Sequence, residues 1–508
     1  MPSARAKAAA LALLLCAAAA GVISQSDVAP AGLMPLQTWG TAPAAAGGRV
    51  IVALDGPPTP AQIEALSALG KIHQVMPRSG AVAITPRGPR ERTELTALRF
   101  VRNVAADTPR FLDQSTASWD RDIMDVHDVE ENDFVGAPDR REVAETGAGV
   151  HVAVIDTGLT RNWRDFLPES RVRTDLARAF LGGGATAEDF VPARTAPAAN
   201  PANLWEHDTA SHGTAVASFV IGFKAGARVV EGVAPDAQLI PLKVFPNGEA
   251  FTWSSHVIAA IEYVIELKES GAIGPTVINL SLSGGAPSAA ERTALQSAIA
   301  HGIIIVASAG NSGEAGMGWP AAYPELISVG ATGWNRQFVP ISSAGQPNTA
   351  FWWTRDVGND PDDTALSEAA ESFVSTFSGR AIPARSVPFG VDPQQLDVLA
   401  PGNWVVAPGG HGPRSALFFW SGTSFSAPLT AGVAALLLEK NPHLNQAQVE
   451  AILKGTALPL PVSGARVGII EINGVITTVA WRTNCRGLAC DPVGAGLIQA
   501  DSALAAVP

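Results

Sequence analysis

Charge is scarce in this chain: Asp, Glu, Lys and Arg make up 16% of 508 residues, against about 25% in an average globular protein. What charge there is leans acidic, with a formal net value of −12, which argues against nucleic acid or an anionic membrane as the main partner. Long apolar runs are also missing. The longest, Ala8–Ile23, falls short of the ~20 residues a membrane-spanning helix needs. It follows Arg5 and Lys7 and ends in Ala18-Ala19-Ala20 before Gly21, so residues 1–20 read as an export signal. Cysteine occurs three times. Cys16 lies in the leader, and Leu15 occupies the place where a lipobox wants a small residue, so a lipid anchor is discounted. Cys485 and Cys490, in NCRGLAC, read in an exported chain as one short disulfide loop. A metal site is the weaker reading, since two thiols without nearby histidines fall short of four ligands. Cysteine is thereby left without a catalytic part.

What is present is length, alanine, glycine and proline. A chain of 508 residues favours more than one domain. Residues 21–48, rich in Ala, Pro and Gly and without a period, form a linker. Residues 49–106 follow a β-α-β-β-α-β pattern: strand RVIVALD, a helix after Pro60 carrying Ile63, Leu66 and Leu69, strands Lys71–Met76 and Gly80–Ile84 around a turn at Pro77–Gly80, helix Glu91–Leu98 and strand Phe100–Val104. That order is ferredoxin-like α+β. Residues 107–145 are acidic and irregular, a linker and N-terminal region.

From residue 146 onward, short apolar strands alternate with amphipathic helices. The strands are His151–Ile155, Gln238–Val244, Val277–Leu282, Ile303–Ala307 and Leu326–Ala331; the clearest helices are Ser255–Lys268 and Ser288–His301. Near-continuous apolar strands imply an α/β fold, a mainly parallel sheet with helices on both faces. In such sheets sites lie at the carboxyl ends of strands.

Three motifs stand at such places. VIDTG ends the first strand at Asp156, SHGTAVAS carries His212, and FFWSGTSFSAP carries Ser424 at the mouth of an apolar helix over Ala427–Leu438. Alone, Gly-Thr-Ser would be a helix cap, and His207, Asp208 and His212 could be a metal cluster. The order Asp, His, Ser is one of the three in which the Ser-His-Asp mechanism occurs along a chain, and it explains His212 without a metal.

These motifs together resemble those of the subtilisin-like serine peptidases (subtilases), over about the last three quarters of the chain. The resemblance implies a subtilisin-like fold in which Ser424 attacks the scissile carbonyl, His212 takes and returns its proton, and Asp156 fixes the imidazole. It implies that Asn311, in ASAGNSG, is an oxyanion donor. A peptide substrate would lie along Ser281-Leu282-Ser283-Gly284, with Ser308-Ala309-Gly310 as the facing wall. Residues 49–106 resemble the family's propeptide, an intramolecular inhibitor and folding aid. No cofactor is needed for the chemistry; a structural calcium ion is a family option, with Asp165 the nearest candidate ligand. The chain departs from the family in Ala215 and Ser218 of the histidine motif, in Ser283 where glycine is usual, and in insertions near 333–395 and 459–492. Trp334, Trp352, Trp353 and the acidic DVGNDPDD mark the first of these, and the second holds both cysteines. The expected activity is that of an exported, self-processed endopeptidase acting on protein or peptide substrates. The rival is a binding protein that cuts itself once and stays capped by its prosegment. A lipase or esterase with the same triad is disfavoured by the motif order.

Overall fold

Eight strands of the larger unit form one sheet, and the chain's near-continuous apolar stretches supply most of them. The computed structural model describes residues 50–76, 80–106, 119–128, 140–181, 201–225, 228–248, 251–284, 286–335, 369–410, 416–470 and 475–508. The expected export signal with Cys16, the 21–48 linker, most of the Pro77–Gly80 turn, much of 107–145, and Trp352, Trp353 and DVGNDPDD lie outside the described residues. The chain divides into two units, one holding the described residues of 50–106 and the other those from 119 onward.

The small unit is built from β1 (Val50–Leu54), α1 (Pro60–Ser67), β2 (Gly70–Met76), β3 (Ala81–Pro86), α2 (Pro89–Ala97) and β4 (Val101–Ala106). The strands are antiparallel in the order β2-β3-β1-β4. Thr59 starts α1 through a capping box with Gln62, which satisfies two amides at the helix end. Val50, Val52, Leu54, Leu66, Val82, Ile84 and Leu95 make its core.

In the large unit the sheet contains β5 (His151–Asp156), β6 (Arg178–Ala179), β7 (Gln238–Lys243), β8 (Thr276–Leu280), β9 (Ile303–Ser308), β10 (Ile327–Trp334), β11 (Ser372–Val374) and β12 (Val398–Pro401). Its order is β11-β10-β9-β8-β5-β7-β6, with β12 also on β10. Only the β10–β11 pair is antiparallel. Alternate residues of each strand point to opposite faces, and here both faces are apolar. Val152 and Val154 enter one core with Phe219 and Val433, whereas Ala153 and Ile155 enter the other with Val257 and Ile261. The helices responsible are α3 (His212–Ile221) and α6 (Thr423–Lys440) on one side, α4 (Ser254–Glu269) and α5 (Ala289–Ala300) on the other. Strands β7 and β8 flank β5 on opposite sides, so the sheet's connections diverge there and leave a crevice at its carboxyl end. Asp156 ends β5 in that crevice.

Helix α6 is buried from Phe425 to Leu438, and Gly432 lets a neighbouring segment come close: a Cβ there would lie 2.6 Å from Val233 Cβ. The helix starts at Thr423, ahead of the apolar run that marks it in sequence, so Ser424 lies in its first turn.

One expectation is corrected: strand β8 stops at Leu280, short of Leu282, because Ser281 turns to α6. The described part of the 333–395 insertion carries regular structure. Strand β10 runs on to Trp334, whose ring stacks on Trp119 at 6.1 Å and whose Nε1 donates to Glu371 (2.8 Å). After the undescribed residues, β11 pairs with β10 as an edge strand.

The segment after 119 is locked to the other end of the chain. Trp119, Ile123 and Met124 are buried; Ala500 N–H donates to Met124 O (2.7 Å) and Gln499 Nε2 to Ile123 O (3.0 Å). Among the described residues no helix is long and apolar enough to cross a membrane.

Candidate active site

Strand β5 delivers Asp156 fully buried, and α3 presents His212 as its first residue, with the imidazole 23% exposed. His212 Nδ1 lies 2.8 Å from Asp156 Oδ1 and 3.0 Å from Oδ2. Ser211, just before it, is held at φ +64°, the left-handed region that few non-glycine residues occupy, and its hydroxyl accepts from Gly410 N–H (3.0 Å). Burial works against the charged imidazole, yet the charge of Asp156, its hydrogen bond and the charge of Asp208 outweigh it. The His212 pKa therefore stands above the usual histidine value. The ring of Phe425, the residue after Ser424, packs on the imidazole at 5.4 Å and fixes its position.

Ser424 is half-buried in the first turn of α6, where backbone N–H groups lack intrahelical acceptors. Pro428 follows it by one turn and has no N–H to give to the Ser424 carbonyl. That carbonyl instead accepts the Ser281 hydroxyl at 2.7 Å. The Ser424 hydroxyl in turn donates to Ser281 O at 3.3 Å. A reciprocal pair thus links the helix to the segment that leaves β8, and Pro428 makes it available.

Asn311 is oriented by a residue that the sequence reading passed over. Its Oδ1 accepts from both the N–H and the hydroxyl of Thr423, each at 2.9 Å. A backbone N–H can only donate, so the amide oxygen must face Thr423 and the Nδ2 group is left to donate elsewhere. The Thr423 hydroxyl also accepts from Gly310 N–H at 3.1 Å.

Beneath the histidine lies a buried polar network. Thr157 N–H donates to Asp156 Oδ1 (2.6 Å), and the Thr157 hydroxyl donates to Asp208 Oδ2 (2.9 Å) while accepting from Gly213 N–H (2.8 Å). One hydroxyl thereby ties the start of the histidine helix to the end of the aspartate strand. Gly213 permits this approach, since a Cβ there would meet Gly158 O at 2.3 Å. Lys243, the last residue of β7, donates to Thr157 O at 2.6 Å. Burial lowers the Lys243 pKa to about 8 against the pull of Asp208 and Asp156, and burial likewise raises that of Asp208. A lysine closing an otherwise apolar strand was the sequence signal for this network.

The expected peptide-binding residues fall into two groups. Ser281 and Leu282 leave β8 toward Ser424, and Ser283 is exposed beyond them. Gly284 exchanges two backbone hydrogen bonds with Trp319 (2.7 and 3.0 Å), so its N–H and C=O are engaged within the fold. Ser308 ends β9; Ala309 donates to Val329 O and accepts from Gly318 N–H. A Cβ on Gly310 would lie 3.1 Å from Ser283 Oγ, and one on Gly318 would lie 2.7 Å from Ser283 Cβ. Ser283 therefore stands between two glycines, one of which, Gly318, sequence reasoning did not single out.

Cys485 and Cys490 are joined by a disulfide, their Cα atoms 5.8 Å apart. Asp165 closes the short 3-10 helix Trp163–Asp165. Among the described residues no three His, Cys, Asp or Glu side chains converge as a metal site, around Asp165 or around His207 and His212.

The model of the subtilase family matches residues 147–479. Subtilisin E of Bacillus subtilis (strain 168) is 31% identical over 329 residues, which is 64% of this chain and 64% of that protein. The subtilisin of Bacillus pumilus is 30% identical over 329 residues, 64% of this chain and 89% of its own. The chain therefore spans slightly under two thirds of the length of Subtilisin E, at 64%. Among solved structures, the S41 psychrophilic protease superposes with a TM-score of 0.49 at 21% identity, over 76% of this chain and 98% of its own. Fervidolysin from Fervidobacterium pennivorans, described as a keratinolytic enzyme related to subtilisin, does so at 0.46 and 20%, over 91% of this chain and 61% of its own.

Proposed function

This chain belongs to the subtilase family, and on that premise we propose that it is an exported serine endopeptidase, made as a zymogen that processes itself. The observation that carries this reading is the buried Asp156 carboxylate on His212 Nδ1, in one crevice with the Ser424 helix and the oriented Asn311. Ser424 attacks the scissile carbonyl as His212 takes its proton; His212 then passes that proton to the leaving amine, while Asp156 stabilises the imidazolium. Asn311 Nδ2 and the Ser424 backbone N–H receive the developing oxyanion, and the first turn of α6 adds its positive end. The resting hydrogen bond from Ser424 to Ser281 must be exchanged for one to His212 when substrate binds, as catalytic contacts often tighten only then. Residues 1–20 direct export, and residues 49–106 act as the prosegment inhibitor. No step calls for a metal ion.

Ser424→Ala should abolish hydrolysis of a generic protein substrate and block self-processing while leaving the fold intact by circular dichroism. A Ser424→Ala protein that shortens itself at the normal rate would overturn the assignment. Asn311→Ala should lower kcat by about 10²–10³, the loss known for the equivalent amide of a subtilisin. Wild-type protein that processes itself yet turns over no added substrate would favour the capped binding protein instead.

A further inference from the structure

The two stretches that set this chain apart, 333–395 and 459–492, meet at one loop of the active site. That loop, Gly310 to Gly318, carries Asn311 near one end and at the other Gly318, which faces Ser283. The first stretch ties it by backbone: Gly313 N–H donates to Phe377 O (2.7 Å) and Gly379 N–H to Gly310 O (2.8 Å). Gln394 then grips its middle. The Gln394 Oε1 accepts from Met317 N–H (3.3 Å) and Ile382 N–H (3.1 Å), and its Nε2 donates to Met317 O (3.1 Å). At 2% exposure this amide has no water to replace those partners. Glu314, on the same loop, accepts from Arg380 (3.2 Å) of the first stretch and Arg482 (3.1 Å) of the second.

The disulfide stands behind these contacts. Ala381 and Asp491 exchange backbone hydrogen bonds at 2.9 and 2.8 Å, and Ile382 forms a small buried cluster with Cys485 and Cys490. A disulfide closing so short a loop removes little chain entropy. Its contacts give it a more local use.

We infer that Gln394 is a positioning residue for the 310–318 loop and that the Cys485–Cys490 loop braces it through Ala381 and Ile382. Together they hold the spacing between Ser283 and Gly318, and with it the choice of side chain accepted before the scissile bond. The inference rests on the peptidase reading above, so its test has one arm that needs no turnover.

Two variants of the full processed protein serve: Gln394→Met, which keeps length and bulk without polar atoms, and the pair Cys485→Ser/Cys490→Ser, which alters no side chain of the loop itself. The first readout is kcat and KM on tetrapeptide p-nitroanilides that differ only in Ala, Leu or Phe at P1. The Leu-to-Phe ratio of kcat/KM should change by about fivefold or more in Gln394→Met, and in the same direction in the serine pair. The second is amide hydrogen exchange, which should rise by about tenfold at 312–318 in both variants and stay unchanged in β8. Uniform loss across the P1 series with unchanged exchange would overturn the proposal, since a merely structural role predicts no change in selectivity. If the wild type cleaves none of the three substrates, the peptidase reading fails while exchange still decides whether the brace exists. Should Gln394→Met not fold, the serine pair carries both readouts.

Discussion

At the head of the histidine motif, Asp208 touches Thr157 and Ala210 N–H rather than His212, yet its charge adds to that of Asp156 in favouring the imidazolium. His212 must be neutral to take the Ser424 proton, so kcat/KM should fall with acid around a pH above histidine's usual ~6.5. Asp208→Asn removes one negative charge beside the imidazole and should move that acid limb to lower pH. A lower kcat with an unmoved limb would assign Asp208 a purely structural part. Lys243 answers the same two carboxylates, and burial leaves it with a pKa of about 8. Selectivity belongs to the residue scale as well. Ser283 stands between Gly310 and Gly318, so its hydroxymethyl group narrows the gap and puts a polar atom there. Cleavage should follow small to medium apolar residues such as Ala, Leu and Met, with weaker turnover after Phe or Tyr. Ser283→Gly should recover the aromatic substrates by about 1–3 kcal/mol in discrimination. A wild-type preference for P1 Arg in peptide-library profiling, or no aromatic gain in the variant, would refute this.

Among the elements, those with a strong period were legible in sequence to within a residue or two. The helix expected over Ser255–Lys268 spans Ser254–Glu269, and the four central strands fall where their apolar runs lie. The first turn of α6 escaped because Thr423 and Ser424 serve the site and carry no apolar signal. The edge strand β11 escaped because three residues are too few for a period, and its partner β10 is distant in sequence. The motifs pointed to Asp156, His212, Ser424 and Asn311 as candidates; Thr423, Thr157, Asp208 and Lys243 drew no such notice, since their contacts with the candidates form only across the fold. Helix α5 adds a prediction of its own. Its first turn buries Glu291 to 5% exposure, and loss of water pushes that carboxyl up to about 7. The folded state then keeps the proton between about pH 4.5 and 7 while the unfolded chain gives it up, so stability declines as pH rises through that window. Glu291→Gln cannot ionise and should be more stable than wild type by about 2–3 kcal/mol at pH 8, with little difference at pH 4. Urea midpoints at the two pH values measure it; equal differences at both would show that Glu291 is not held neutral.

For the whole molecule, the small unit has an apolar core of its own, and the zymogen reading can be tested on it. Arg49–Asp107 expressed separately should inhibit the processed enzyme and speed its refolding, because sheets with many nonlocal contacts fold slowly. No inhibition at micromolar concentration would count against the zymogen reading. The anchoring of Trp119, Ile123 and Met124 to Trp334, Gln499 and Ala500 bears on where such a chain can be severed. A cut after Trp119 would leave the Trp334 ring without its stacking partner. If the chain processes itself as proposed, N-terminal sequencing of the product should place its first residue no later than Trp119, and a first residue beyond it would refute this; the two ends of the large unit would then close on each other like a clasp.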